Sequence, residues 1–223
     1  MGRNVASVVE LCSVVSALIT TTLFSVSTYL LEDEFEDHCV LYADWTAASN
    51  FNFFGATWIC TVISCGGFAV TAIGVLFLVH VIASFINGGD IFATNTKSLR
   101  FRVVAGLKCF LGCASWVFVI MAAGGAAAGV ASYCSSLEDA YNRTVASTGS
   151  SYPGCKLFTK VVDKYFDFVH PFPSDTFLRF ELILGGTWTS VVSWFVVICS
   201  VIGQLLRSRS TVQYTRELQA RLV

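Results

Sequence analysis

In a chain of 223 residues, 55% are hydrophobic and only 13% charged, with a mean hydropathy of +0.68 and a net charge of −1. Soluble domains carry about 25% charged residues, so this composition excludes a water-soluble fold for most of the length. The near-neutral balance also gives no basis for a nucleic-acid partner.

Four apolar runs, residues 5–31, 55–86, 103–133 and 180–206, reach the roughly 20 residues needed to cross ~30 Å of hydrocarbon. They leave no room for a separate soluble domain. The expected fold class is all-α: a single four-span membrane domain over residues 1–223, with the spans in a transmembrane bundle. It has loops at 32–54 and 134–179 on one side, a loop at 87–102 on the other, and a tail at 207–223.

The first run exceeds the apolar core of roughly 7–15 residues found in cleaved signal peptides, and reads as an uncleaved signal anchor. The myristoylation pattern fails, because Ala6 stands where Ser or Thr is required after Met1 and Gly2. An acidic stretch follows, with Glu32, Asp33, Glu34, Glu36 and Asp37. It lacks the spaced ligands and glycine of an EF-hand, and reads as a solvated acidic run. Phe51, Phe53, Phe54 and Trp58 fit an aromatic belt at the membrane interface as the second run begins. His80 lies toward the far end of that run; a lone histidine in a span is more often hydrogen-bonded to a neighbouring helix than a proton relay.

The third run contains the clearest packing signal, a stretch of small residues from Met121 to Ser132. Gly125 and Gly129 form a GxxxG there, and Gly124 and Ala128 make a second small pair. These residues point to a central packing helix, with contacts offered by Gly66, Gly67 and Gly74 on the second helix and by Gly185 and Gly186 on the fourth. Packing within the chain is the plainer reading, and self-association the sharper one. Asn142, with Arg143 and Thr144, forms a glycosylation acceptor in the loop expected after this span. An aromatic segment, 164–173, precedes the fourth run. After the fourth run, Arg207 and Arg209 alternate with Ser208 and Ser210, and Val212, Leu218 and Leu222 mark a short amphipathic continuation whose arginines favour anionic lipid.

Charge gives the orientation. Arg3, Lys97, Arg100, Arg102, Lys108, Arg207, Arg209, Arg216 and Arg221 fall on one expected face with only Glu10, Asp90 and Glu217, a net of +6. The other face holds five cations against twelve acids, a net of −7. The positive-inside bias therefore places both termini and the middle loop in the cytoplasm.

Of the nine cysteines, Cys39, Cys134 and Cys155 lie in or beside the outer loops and Cys60 near the outer end of the second span. On an oxidising side these four make two disulfides. Local pairing, Cys39 with Cys60 and Cys134 with Cys155, is the simplest of the three connectivities, and the two crossed arrangements stay open. Cys12, Cys65, Cys109, Cys113 and Cys199 lie within spans and read as small apolar filler rather than metal ligands. Glu10 and Glu181 sit near helix ends, within reach of headgroups. No catalytic triad, phosphate loop, metal or cofactor site is apparent, so the chain reads as a non-enzyme.

The placement of Cys39-Val-Leu-Tyr42 after the first span, Cys60 opening the second, Cys134 closing the third and Cys155 in the loop beyond resembles the transmembrane protein 179 family. The arginine-rich tail with Glu217 and Leu218 after a tryptophan-containing fourth span is similar too. That resemblance implies a multipass membrane protein and no catalytic activity; the first loop departs from it by its dense acidic run. Claudin-like tetraspans carry a tryptophan and cysteine signature that this first loop lacks. The expected function is that of an accessory or interaction subunit of a larger channel, receptor or adhesion complex, at the plasma membrane or in a secretory-pathway vesicle. The alternative is a self-associating tetraspan that organises membranes or directs vesicle trafficking. The partners are accordingly a larger integral membrane protein or further copies of the chain, with membrane lipid. Transport ranks last, because the spans lack a polar lining.

Overall fold

The computed structural model describes residues 2–34, 39–42, 58–86, 99–145, 154–155 and 176–221. Phe51, Phe53, Phe54, Glu36, Asp37, Asp44 and the segment 164–173 lie outside them. The described residues form four α-helices: α1 (Gly2–Glu34), α2 (Trp58–Ile86), α3 (Leu99–Val145) and α4 (Thr176–Arg221). A single 3-10 turn, Val40–Tyr42, follows α1. Each α-helix contains a segment long and apolar enough to cross a membrane: Val8–Asp33, Trp58–Ser84, Val103–Arg143 and Phe177–Leu206. This is the architecture of a multipass integral membrane protein.

Many of these residues are β-branched, which weakly disfavours helix in water. In hydrocarbon the only partners for backbone N–H and C=O groups are within the chain, so the helix wins regardless. Hydroxyl groups obey the same rule. In α1, Ser13 donates to the carbonyl of Val9, Thr20 to that of Ser16 and Thr28 to that of Phe24, each at 2.8 Å.

Packing divides the chain into two compact units, and all four helices contribute a segment to each. Unit 1 comprises Met1–Thr20, Ala69–Val119 and Thr189–Val223; unit 2 comprises Thr21–Phe68 and Ile120–Trp188. The division rests on packing alone, yet it sorts the charges. Unit 1 contains nine cations and three acids, net +6, and unit 2 five cations and twelve acids, net −7. These are the same two groups that the charge pattern of the sequence separates. Disulfide chemistry sorts with them: Cys39–Cys60 and Cys134–Cys155 both belong to unit 2, while Cys12, Cys109, Cys113 and Cys199 of unit 1 carry no disulfide.

In unit 1 the core is aromatic and aliphatic. Phe77 of α2 meets Trp194 of α4 edge-on, with ring centroids 5.7 Å apart. The indole N–H of Trp116 donates to the Val191 carbonyl at 3.1 Å, and the Ser16 and Ser193 hydroxyls join α1 to α4 at 2.9 Å.

In unit 2 the core is built on α3. Tyr133 lies against Phe180 with centroids 5.1 Å apart, and both rings are fully buried. The 3-10 turn packs on the same helix. The Tyr42 hydroxyl donates to the Gly125 carbonyl at 2.9 Å, and Leu41 is completely buried. A Cβ on Gly129 would stand 2.6 Å from the Leu41 carbonyl oxygen, so only glycine lets the two backbones approach this closely.

Two expectations need correction. Gly125 is not a helix-wedging position like Gly129, since a Cβ there would meet nothing within 4 Å; its contact runs through the carbonyl instead. The helix containing both also continues well past Tyr133. Leu137 and Tyr141 prolong its buried stripe for two more turns, so Cys134 and Asn142 are helical rather than in a loop. The exposed Ser135, Glu138 and Asp139 on its other side make that stretch look loop-like in composition.

Gly129→Leu should therefore lower folded yield and cost about 1–3 kcal/mol of stability through overpacking against backbone. Gly125→Leu should leave both nearly unchanged. Thermal unfolding followed by size-exclusion chromatography in mild detergent checks the pair.

Candidate functional site

The most unusual chemistry among the described residues is a buried ion pair inside the apolar spans of unit 1. Glu10 of α1 is 4% exposed, and its Oε1 faces the Lys108 ammonium of α3 at 3.8 Å. Its other carboxylate oxygen accepts a hydrogen bond from the Gln204 side-chain amide of α4. The Lys108 ammonium also stands over the Phe77 ring of α2, 5.5 Å from its centroid. One carboxylate, one ammonium, one amide and one aromatic face thus draw a residue from each of the four helices.

Each polar member lies near the edge of its span. Glu10 is two residues inside the segment starting at Val8, Lys108 five inside the one starting at Val103, and Gln204 two short of Leu206. Bringing these three together sets the beginnings of the apolar segments of α1 and α3 beside the end of the apolar segment of α4 within unit 1. A charge facing hydrocarbon is costly, and the pair removes that cost by bringing the two charges together inside the protein. The expectation that Glu10 reaches toward headgroups is thereby corrected: its carboxylate turns inward, because Lys108 and Gln204 are there to meet it. Glu181, by contrast, is exposed. Spacing along one helix carries no signal for Glu10 and Lys108. The available signal is that two opposite charges stand at comparable depth in separate apolar runs.

The remaining sequence-derived residues are placed as follows. Cys39–Cys60 and Cys134–Cys155 form disulfides, each with a Cα–Cα distance of 5.4 Å and a sequence separation of 21. The first ties the 3-10 turn to the start of α2. The second ties α3 to the residue after Gly154, whose φ of +93° lies in the left-handed region that glycine adopts without strain. A loop of that length constrains the unfolded chain by about 3 kcal/mol per bridge. Alongside the first bridge, the Thr61 hydroxyl donates to the Glu32 carboxylate. Asn142 is exposed in the last turn of α3. Cys12, Cys65, Cys113 and Cys199 are exposed on the helix surfaces, and Cys109 is half-buried. His80 is half-buried on α2, and its carbonyl accepts a hydrogen bond from Ser84. No cluster of three or more His, Cys, Asp or Glu suited to a metal ion occurs among the described residues.

The helix containing Gly125 has two distinct faces in unit 2. Ala122, Ala126, Gly129, Tyr133 and Leu137 are buried. Met121, Gly124, Ala128, Ala131 and Ser135 are exposed and recur at alternating spacings of three and four, and a Cβ on Gly124 would meet nothing within 4 Å.

The chain matches no protein-family model, no curated protein and no solved structure.

Glu10→Ala should cost about 3–5 kcal/mol, the range for stranding a buried partner charge, here Lys108. A double variant, Glu10→Leu with Lys108→Met, should recover most of that loss. Melting temperatures of the purified variants measure both, and equal losses in the single and double variants would remove the pairing argument.

Proposed function

We propose that this chain is a non-enzymatic multipass membrane protein that serves as an accessory or interaction subunit of a larger channel, receptor or adhesion complex. The observation that carries this reading is the open seam on α3 formed by the small residues Gly124, Ala128, Ala131 and Ser135. Other exposed helix positions include many large side chains, such as Leu76, Val79, Phe110, Trp188, Val192 and Phe195, which suit contact with acyl chains. Small residues at alternating spacings of three and four give lipid little to grip and let a second helix approach closely.

The same seam supports a second reading. Because the stripe is self-complementary, two copies of the chain fit one another as well as one copy fits a foreign helix. That arrangement belongs to a self-associating tetraspan that organises membranes or directs vesicle trafficking.

The orientation proposed with either reading has both termini and residues 87–102 in the cytoplasm. The disulfides and Asn142 then face the lumen or the cell exterior, at the plasma membrane or in a secretory-pathway vesicle. Support comes from the +6 and −7 partition, from the positive-inside bias, and from both disulfides lying with the acidic group.

Affinity purification of the tagged protein from its native membrane in mild detergent separates the readings. A stoichiometric foreign membrane protein, lost in Ala128→Leu while the variant stays folded, supports the accessory role. A homo-oligomer dissociated by the same substitution supports the alternative, and retention of every contact in the variant removes the seam from both. For the orientation, glycosidase treatment should shorten the wild-type chain and leave Asn142→Gln unchanged.

A further inference from the structure

The +6 charge of unit 1 is concentrated where two helices emerge from their apolar spans. No carboxylate occurs between Asp90 and Glu138, and none between Glu181 and Glu217. The one acid in the unit 1 segment of α1 is Glu10, already engaged by Lys108 and Gln204. Arg100 and Arg102 of α3 and Arg207 and Arg209 of α4 therefore have no acid within two turns along their own helices, and Glu10 on α1 is already engaged.

The Glu10–Lys108–Gln204 contact also sets those two segments side by side. Arg102 precedes Lys108 by six residues, about 9 Å of helix, and Arg207 follows Gln204 by three, about 4.5 Å. Arg100 and Arg209 lie two residues further along α3 and α4. All four arginines fall immediately outside the apolar segments that begin at Val103 and end at Leu206, the depth at which phospholipid phosphates lie. Lys108 itself is turned inward, its side chain 13% exposed.

We propose that Arg100, Arg102, Arg207 and Arg209 form a binding site for the headgroup of an anionic phospholipid, with the buried ion pair holding its two halves in register. Guanidinium groups suit this ligand because each presents a planar fork of donors to phosphate oxygens. The site is independent of the partner reading: it rests on unit 1, whereas the seam lies in unit 2.

The test is native mass spectrometry of the full-length protein in detergent, titrated with phosphatidylinositol bisphosphate, phosphatidylcholine or soluble inositol trisphosphate. The bisphosphate lipid should bind at least about tenfold more tightly than phosphatidylcholine, and more tightly than the soluble headgroup, which lacks acyl chains lying against the helices. Arg100→Gln with Arg102→Gln, and separately Arg207→Gln with Arg209→Gln, should each weaken binding by an order of magnitude or more, from about fivefold per arginine. Removing the same charge from unit 2, by Lys156→Gln with Lys160→Gln, should leave it unchanged. Equal weakening by that control pair, loss confined to one arginine pair, or equal affinity for the two lipids would overturn the proposal. Soluble headgroup binding as tightly as the lipid would overturn the lipid assignment. Because each arginine pair is tested alone, misfolding of one variant leaves the other informative, and an unchanged melting temperature of each variant reports its folding.

Discussion

A charge placed among apolar helices has to find its counter-charge inside the protein, and the Glu10–Lys108 contact is where this chain meets that constraint. Neither group is tolerable alone at that depth. Their pairing makes the beginnings of the apolar segments of α1 and α3 neighbours, and the Gln204 amide adds the end of the apolar segment of α4. Phe77 then lies under the Lys108 ammonium while its edge meets Trp194, so the aromatic packing of unit 1 is continuous with this ion pair. Hydrophobic packing in a bilayer supplies little directional preference, because lipid tails are as apolar as leucine. Polar contacts such as this one, together with close backbone approach, decide which helix lies beside which.

Unit 2 meets the same problem by other means. There, two disulfides and the Gly129–Leu41 approach hold the 3-10 turn and the helix ends. The contrast follows from chemistry. Disulfides persist only in an oxidising compartment, so in the orientation proposed above unit 1, on the cytoplasmic side, would have to be secured without them. The cysteines of unit 1 are all without disulfides, and its polar contacts include the Glu10–Lys108 pair and hydrogen bonds between helices such as Ser16 with Ser193. Two unrelated chemistries, charge and thiol oxidation, sort the same residues in the same way.

Much of this was readable in the sequence, for identifiable reasons. Spans are legible because hydrocarbon thickness imposes a length on apolar runs, and the local cysteine pairing because each pair closes a short loop. The far end of α3 was not legible: Leu137 and Tyr141 continue its buried stripe, but Glu138 and Asp139 on the exposed side mimic a loop. The GxxxG was half legible. Spacing identifies Gly125 and Gly129 as neighbours on one helix but does not say that Leu41 of a short turn, rather than another long helix, covers Gly129 alone. Glu10 and Lys108 were harder still, because a contact between distant helices leaves no periodicity in either.

The two small-residue faces of α3 show why a motif count alone is a poor guide in such a chain. One face is already consumed by the Leu41 turn and by Phe180 through Tyr133. The other repeats the same small side chains with nothing against them among the described residues, as a Cβ at Gly124 would find. A helix packed only against its own chain needs small residues on a single face, and its lipid-facing side gains more from leucine or phenylalanine, as the exposed faces of the other helices display. Keeping Gly124, Ala128, Ala131 and Ser135 small on the exposed face forgoes that lipid contact, and approach by a second helix is the physical gain that would offset it.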